Sequence, residues 1–180
     1  GSPVNALVQV LLTFHMAQHL LLMAVAPPLI LLGAPIMPLL HGLPQRVVRV
    51  LGPLFRHPAA QWVGGVATHP VFSLLAASAT VMAWHYPPLF ELALHSHRWH
   101  EIEHACFLTT GFLFWWPVVQ PWPSVARWPR WSTPLYLFLA TLPCDALSAY
   151  LAFCDRIVYP SYAAAPHVAG ISPLGDQEFA

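Results

Sequence analysis

Four long apolar stretches restrict the folds that this chain can adopt. A helix of about 20 residues crosses a hydrocarbon core of ~30 Å, and the stretches are close to that length. Pro27 and Pro28 lie inside the first stretch and predict a kink, which membrane helices tolerate. The sequence therefore predicts one all-α domain over residues 1–180, a polytopic transmembrane helical bundle with at least four spans. The predicted spans are residues 10–32, 70–85, 98–119 and 134–153.

The composition excludes a soluble fold and a nucleic-acid partner. Hydrophobic residues make up 57% of the chain and charged residues only 8%. Soluble domains carry roughly a quarter charged residues, so the lipid bilayer is the expected surrounding of this chain. The formal net charge is zero with histidine neutral, and no basic field exists to bind a phosphate backbone. The chain begins almost directly in an apolar segment and stops at Ala180, where a further helix could begin, so a fragment of a longer protein is expected.

Arginine placement predicts the orientation in the membrane. Five arginines lie in the loops after the first and third spans, whereas Arg98 and Arg156 lie on the opposite side. The positive-inside rule puts the arginine-rich loops in the cytoplasm. The first of these loops also has the apolar spacing of a helix on the membrane surface, at about residues 44–56. The five cytoplasmic arginines are Arg46, Arg49, Arg56, Arg127 and Arg130.

Most of the 11 histidines then fall in the outer half of the bundle. His15 and His19 are four residues apart and share one face of the first span. His100 and His104 repeat this spacing on the third span. Polar groups at membrane depth normally face the bundle interior, so the two pairs are expected to meet around one point. The other outer polar residues are His85, His95, His97, His167 and Asp176.

Imidazole and thioether groups together favour a copper site. Imidazole suits copper, zinc, iron and nickel, and methionine adds a preference for Cu(I). Asp176 is expected to orient a histidine or accept its proton. Because a ligating imidazole must be neutral, binding should weaken below about pH 6. The predicted ligands are His15, His19, His85, His100, His104, Met16 and Met23, and Met82 is a further nearby methionine.

Three other interpretations stay open at this point. The segment from His100 to His104 matches H-E-x-x-H, in which Glu101 would activate water for a zinc peptidase, and also the inverted H-x-x-E-H. A bis-histidine haem b site would use His19 and His104, with large aromatic residues beside the porphyrin. The histidines could also serve only as hydrogen-bonding groups between helices. Asp145, inside the fourth span, could relay protons or support a ligand.

Several motifs, in order along the whole chain, resemble those of the bacterial CtaG-type assembly factors of caa-type cytochrome c oxidase. Two positions depart from the family pattern, since Leu20 stands where the family has methionine and Phe90 where it has tyrosine. Glu101 is not part of the shared pattern, which weighs against the peptidase. The shared motifs are HMAQHLLLM (15–23), APP (26–28), GAP (33–35), WHYP (84–87), AL (93–94), H-x-x-E-H (100–104), FWWPV (114–118), YPSY (159–162) and DQEFA (176–180).

The resemblance implies a multi-pass protein of the bacterial plasma (inner) membrane that helps to mature a copper-containing oxidase. Some relatives are joined to copper-transport domains, which agrees with a copper site. The expected role is to hold copper toward the extracytoplasmic side and to hand it to an oxidase subunit, without catalysis. Whether several copies of the chain form a homo-oligomer stays open.

Overall fold

The computed structural model is all-helical over the residues that it describes. These are residues 11–33, 42, 44–121, 124, 128–129, 131–163 and 172–180. The helices in these ranges are α1 (Leu12–Leu32, with a π-helical turn at Leu21–Val25), α2 (Gln45–Arg56), α3 (Pro58–Ala67), α4 (Pro70–Trp84), α5 (Pro87–His95), α6 (His97–Val119), α7 (Ser132–Phe153), α8 (Pro160–Ala163) and α9 (Pro173–Phe179).

Two helices in the described ranges are by themselves long and apolar enough to cross a membrane. They are α1 and α7, which correspond to the predicted spans 10–32 and 134–153. A third span results if α3 and α4, which meet at a bend of 63°, are counted together. Helix α6 matches the predicted span 98–119 in its bounds, but charged residues and histidines occupy its first turns. The structure thus supports two spans, or three with the bent pair, and the number of at least four stays a prediction.

The other predicted elements are also helical. The expected surface helix at 44–56 is α2, Gln45–Arg56, and most of its side chains are exposed. The bend between α3 and α4 occurs where Pro70 begins α4. His69 caps α4 by accepting a hydrogen bond from the Val71 amide, and Ser73 Oγ donates to the Ala67 carbonyl across the bend. These local bonds satisfy backbone groups that the interruption would otherwise leave free.

Helix α6 is central to the bundle, because it packs against α1, α4 and α5. Helix α7 packs against α4, and the short α9 contacts both α1 and α7. One apolar cluster lies near the start of α1, and a second one joins α4, α5 and α6. The first consists of Leu12, Met16, Phe90, Leu151, Tyr159 and Tyr162, and the second of Val81, Trp84, Ala93 and Phe107.

The π-helical turn in α1 follows from the prolines that predicted a kink. Pro27 has no amide hydrogen, so the carbonyl of Met23, four residues earlier, loses its usual helical partner. The indole Nε1 of Trp115 on α6 donates to that carbonyl at 3.0 Å. Gly111 faces the same segment, and a Cβ there would lie 2.8 Å from Pro27 Cγ. A residue without a side chain therefore allows α1 and α6 to approach closely beside the irregular turn.

Candidate metal centre

Helix α1 contributes two buried imidazoles. His15 is fully buried and His19 is 5% exposed. Their ring centroids are 4.3 Å apart, because residues at i and i+4 lie one above the other on a helix. Both rings face the interior of the bundle, as predicted from the spacing.

Helix α6 supplies the opposing side of the same pocket. His100 and His104 repeat the i, i+4 arrangement, with ring centroids 4.1 Å apart. Glu103 lies on this face, three residues after His100, and it is fully buried. A carboxylate and two imidazoles therefore project from α6 toward α1. We refer to His15, His19, His100, Glu103 and His104 as the inner cluster.

The two helices bring the inner cluster within ligand-binding distance. His15 and His100 have ring centroids 5.7 Å apart, and so do His19 and His104. Glu103 Oε1 lies 3.5 Å from His19 Nε2 and 4.0 Å from His15 Nε2. In each of two sets of three residues, the potential ligand atoms lie within 4.8 Å of one another. These sets are His15, His100 and Glu103, and His19, Glu103 and His104.

Most polar atoms of the inner cluster have no hydrogen-bond partner. Both ring nitrogens of His15, both of His19, both carboxylate oxygens of Glu103 and Nε2 of His104 are buried and unsatisfied. A buried polar group without a partner costs about 1–3 kcal/mol, and a charged one costs more. So many unsatisfied atoms around one point are typical of a ligand-binding pocket. The geometry suits a cation, because imidazole and carboxylate both coordinate through lone pairs.

His85 and Met16 bring a sulfur atom to the edge of the inner cluster. The Nδ1 atom of His85 lies 2.7 Å from the Val81 carbonyl, which can only accept, so Nδ1 carries the proton. The Nε2 atom of the neutral ring therefore has a free lone pair, and it lies 3.1 Å from Met16 Sδ. His85 is also 5.9 Å from His19 between ring centroids. Metal-bound histidines usually donate their other N–H to a carbonyl in this manner.

Aromatic side chains close the pocket. Phe107 and Phe90 are fully buried, and their ring centroids lie 4.4 Å from His19 and 5.0 Å from His15, respectively. Tyr159 stacks on Phe90, and its hydroxyl donates to the His85 carbonyl at 3.0 Å. Burial raises the pKa of the Tyr159 hydroxyl, which therefore stays protonated as a donor. This apolar wall excludes water and fixes the rings that face the pocket.

Two predicted site residues have other surroundings. Met23 packs against the cluster that includes Val81 and Trp84, and its carbonyl accepts from the Trp115 indole. No described contact places its sulfur among the imidazoles. For Asp176 we expected a histidine partner, but its carboxylate accepts hydrogen bonds at the start of α1.

Asp176 stabilises the first turn of α1. It accepts bonds from the Leu12 amide at 2.5 Å, the Thr13 amide at 3.2 Å and Thr13 Oγ1 at 2.6 Å. First-turn amides have no partner within the helix, so the carboxylate acts like an N-cap supplied from a distant segment.

The remaining residues that the sequence singled out are exposed wherever the structure describes them. His95 and His97 are exposed, and His97 pairs with Glu101 at 3.2 Å on the outer face of α6. Met82 and Asp145 are also exposed. His167 lies outside the described residues.

Glu103 is not among the ligands that the sequence predicted. The signal was present, because Glu103 completes the H-x-x-E-H pattern and lies three residues after His100, on the same helical face. Glu101 is one residue after His100 and points elsewhere, with 64% of its side chain exposed. The two carboxylates between the histidines therefore have opposite surroundings.

The fold and the inner cluster together define an all-helical membrane protein with ionisable residues buried between its helices. The family model described as cytochrome c oxidase caa3 assembly factor matches residues 1–180, the whole chain. The chain therefore belongs to the Caa3_CtaG family of assembly factors.

Curated relatives share moderate similarity with the chain. It is 29% identical over 154 residues to uncharacterized protein Mb0105 of Mycobacterium bovis and to uncharacterized protein MT0111 of Mycobacterium tuberculosis. It is 25% identical over 154 residues to uncharacterized protein ML1998 of Mycobacterium leprae. In each case the match covers 81% of this chain but only 22% of the relative. The chain thus spans about a fifth of their length, and no solved structure matches it.

Proposed function

We propose that the chain is the metal-holding membrane segment of a cytochrome c oxidase assembly factor and that its inner cluster binds copper for delivery to an oxidase subunit. The observation that carries the proposal is the meeting of two histidine pairs, from α1 and α6, in one buried pocket with unsatisfied ligand atoms. Membership of the family supplies the oxidase as the client. Holding and releasing an ion requires ligands and a path out of the pocket. It requires no catalytic step.

The pair formed by His85 and Met16 favours copper over other imidazole-binding metals. A free imidazole lone pair and a thioether sulfur lie 3.1 Å apart. Imidazole binds copper among other metals, and the soft thioether adds a preference for Cu(I). Both residues are buried, at 8% exposure each, so a bound ion would be shielded from water. We infer that Cu(I) is the form that is transferred.

The pocket lies at one end of the bundle, which supports transfer at a membrane surface. His15 is near the start of α1, His85 directly follows α4, and His100 is in the first turns of α6. From the arginine placement we infer that this end lies on the extracytoplasmic side of the bacterial plasma membrane. An ion held there would be close to an extracytoplasmic donor or a client domain.

The geometry gives less support to haem or to a zinc peptidase. A porphyrin between His19 and His104 would need the space that Glu103 occupies at 3.5 Å from His19. The H-E-x-x-H form of the peptidase would need Glu101 beside the metal, but that carboxylate is exposed and pairs with His97. The inner cluster instead presents small, convergent ligands that suit a bare ion.

Copper analysis of the full-length protein, purified in detergent without a histidine tag, tests this proposal. We expect the wild type to retain copper and the His19→Ala/His104→Ala double variant to lose at least half of it. His97→Ala is the matched control, because His97 is also on α6 but is exposed, and it should keep the wild-type copper content. Circular dichroism would establish that the variants are folded.

The other outcomes separate the alternatives. A Soret band in the purified protein would favour haem, and zinc with proteolysis that depends on Glu101 would favour the peptidase. Wild-type protein that binds no copper, whether loaded with Cu(I) or Cu(II), would overturn the proposal. A copper-binding wild type should also restore oxidase activity in cells that lack the native factor, whereas the double variant should not.

A further inference from the structure

Glu103 belongs to both sets of potential ligands in the inner cluster. One set consists of His15, His100 and Glu103, and the other of His19, His104 and Glu103. Each set takes one histidine from α1 and one from α6, and neither contains both histidines of one helix. The pocket therefore has two halves, stacked one helical turn apart along α1 and α6. Only the carboxylate is common to the halves.

The Glu103 carboxylate also favours a cation in the pocket. Glu103 is fully buried, and no described arginine pairs with it. Both of its oxygens lack a hydrogen-bond partner. An ionised carboxylate that is buried without a charged partner costs several kcal/mol, which a bound metal ion would offset. Each oxygen has lone pairs for one ion, and a carboxylate that joins two ions holds them at a typical separation of about 3.5–4 Å.

We propose that the inner cluster is a dinuclear metal site in which Glu103 bridges two copper ions. His15 and His100 hold one ion, and His19 and His104 hold the other. The inference rests on the proposed function, since it takes the pocket as a metal site, but it adds the number of ions and the role of the carboxylate.

Metal stoichiometry in the full-length protein tests the number of ions. The metal-free protein in detergent is loaded with Cu(II), freed of excess ion and analysed for copper and protein. We expect two copper ions per chain in the wild type and at most one in Glu103→Gln, which keeps the shape of the side chain but removes the bridging charge. Glu101→Gln is the matched control, two residues away on the exposed face, and should still bind two ions.

Electron paramagnetic resonance of the Cu(II)-loaded protein tests the bridge. Two bridged ions should couple magnetically, so the wild type should show broadened or lost signals relative to the copper content. His100→Ala and His104→Ala should each retain one ion and show the full signal of isolated Cu(II). These single variants keep the inference testable even if Glu103→Gln fails to fold.

The outcomes distinguish this inference from the proposed function. One ion per wild-type chain, unchanged in Glu103→Gln, would overturn the dinuclear site but leave a copper-binding protein. Two uncoupled ions would overturn the bridging role of Glu103. A wild type that binds no copper would overturn the proposed function and this inference together.

Discussion

Gly111→Ala is predicted to force α1 and α6 apart at the π-helical turn. A Cβ at Gly111 would lie 2.8 Å from Pro27 Cγ, 3.1 Å from the Met23 carbonyl oxygen and 3.2 Å from Met23 Cα. Two of these atoms belong to the backbone and the third to a rigid ring, so none can move alone. The helices must separate by a few tenths of an ångström or more.

Two opposing effects decide how much Gly111→Ala changes the free energy of unfolding. Alanine is favoured over glycine in a helix by about 1 kcal/mol. Overpacking of a close helix contact costs about 1–3 kcal/mol. Gly64→Ala is the matched control, because Gly64 is also helical but has nothing within 4 Å of its Cβ position. Gly64→Ala gains the higher helix propensity of alanine without a steric clash. The free energies of unfolding of the two variants should therefore differ by about 1–3 kcal/mol.

Thermal unfolding in detergent measures this difference. For a chain of this size 1 kcal/mol corresponds to about 2–4 °C in Tm, so Gly111→Ala should unfold about 2–12 °C below Gly64→Ala. Because the shift also separates His19 from His104, copper binding should weaken by about tenfold, as it does when the support of a ligand is lost. Equal Tm values for the two variants would refute the argument that Gly111 is required for close approach.

Two further predictions concern the support and the protonation of the site. Asp176→Ala should lower the free energy of unfolding by about 1–3 kcal/mol, because the Leu12 and Thr13 amides lose their acceptor. Its copper content should equal that of the wild type, and a loss of copper in a folded variant would contradict a capping role. Copper affinity should fall at acidic pH, because protons compete for imidazole lone pairs, and the fall should begin below the pH at which a solvent-exposed histidine titrates, because the rings are buried. Equilibrium titrations at about pH 4 and about pH 7.5, in about the same ionic strength, would detect this, and equal affinities would argue against histidine ligands.

The apolar spans were predictable because hydropathy and helix length are local properties. The predicted spans 10–32 and 134–153 correspond to α1 and α7. The spans at 70–85 and 98–119 coincide with helices, but α4 is only 15 residues long and joins α3 at a bend. The prolines also predicted an irregularity in α1. They did not reveal that Trp115, 92 residues away, would satisfy the released carbonyl.

The helical faces that carry the histidines were predictable for the same reason, whereas the residues that surround these histidines in the pocket were not. The i, i+4 spacing places His15 with His19 on α1, whatever the rest of the fold does. Periodicity also places Glu103 on the face of His100, but only the packing of α1 against it makes that carboxylate fully buried. The H-E-x-x-H pattern drew attention to Glu101, which the structure leaves in an exposed pair.

The sequence by itself determined the helices, their apolar character and the side chains that share each helical face, because these depend on residues within one or two turns. Tertiary structure alone decided which faces meet. It joined His85 to Met16 across 69 positions and placed Asp176 at the start of α1, 164 positions from Leu12. Such contacts depend on how whole helices pack, and helical periodicity carries no information over that distance.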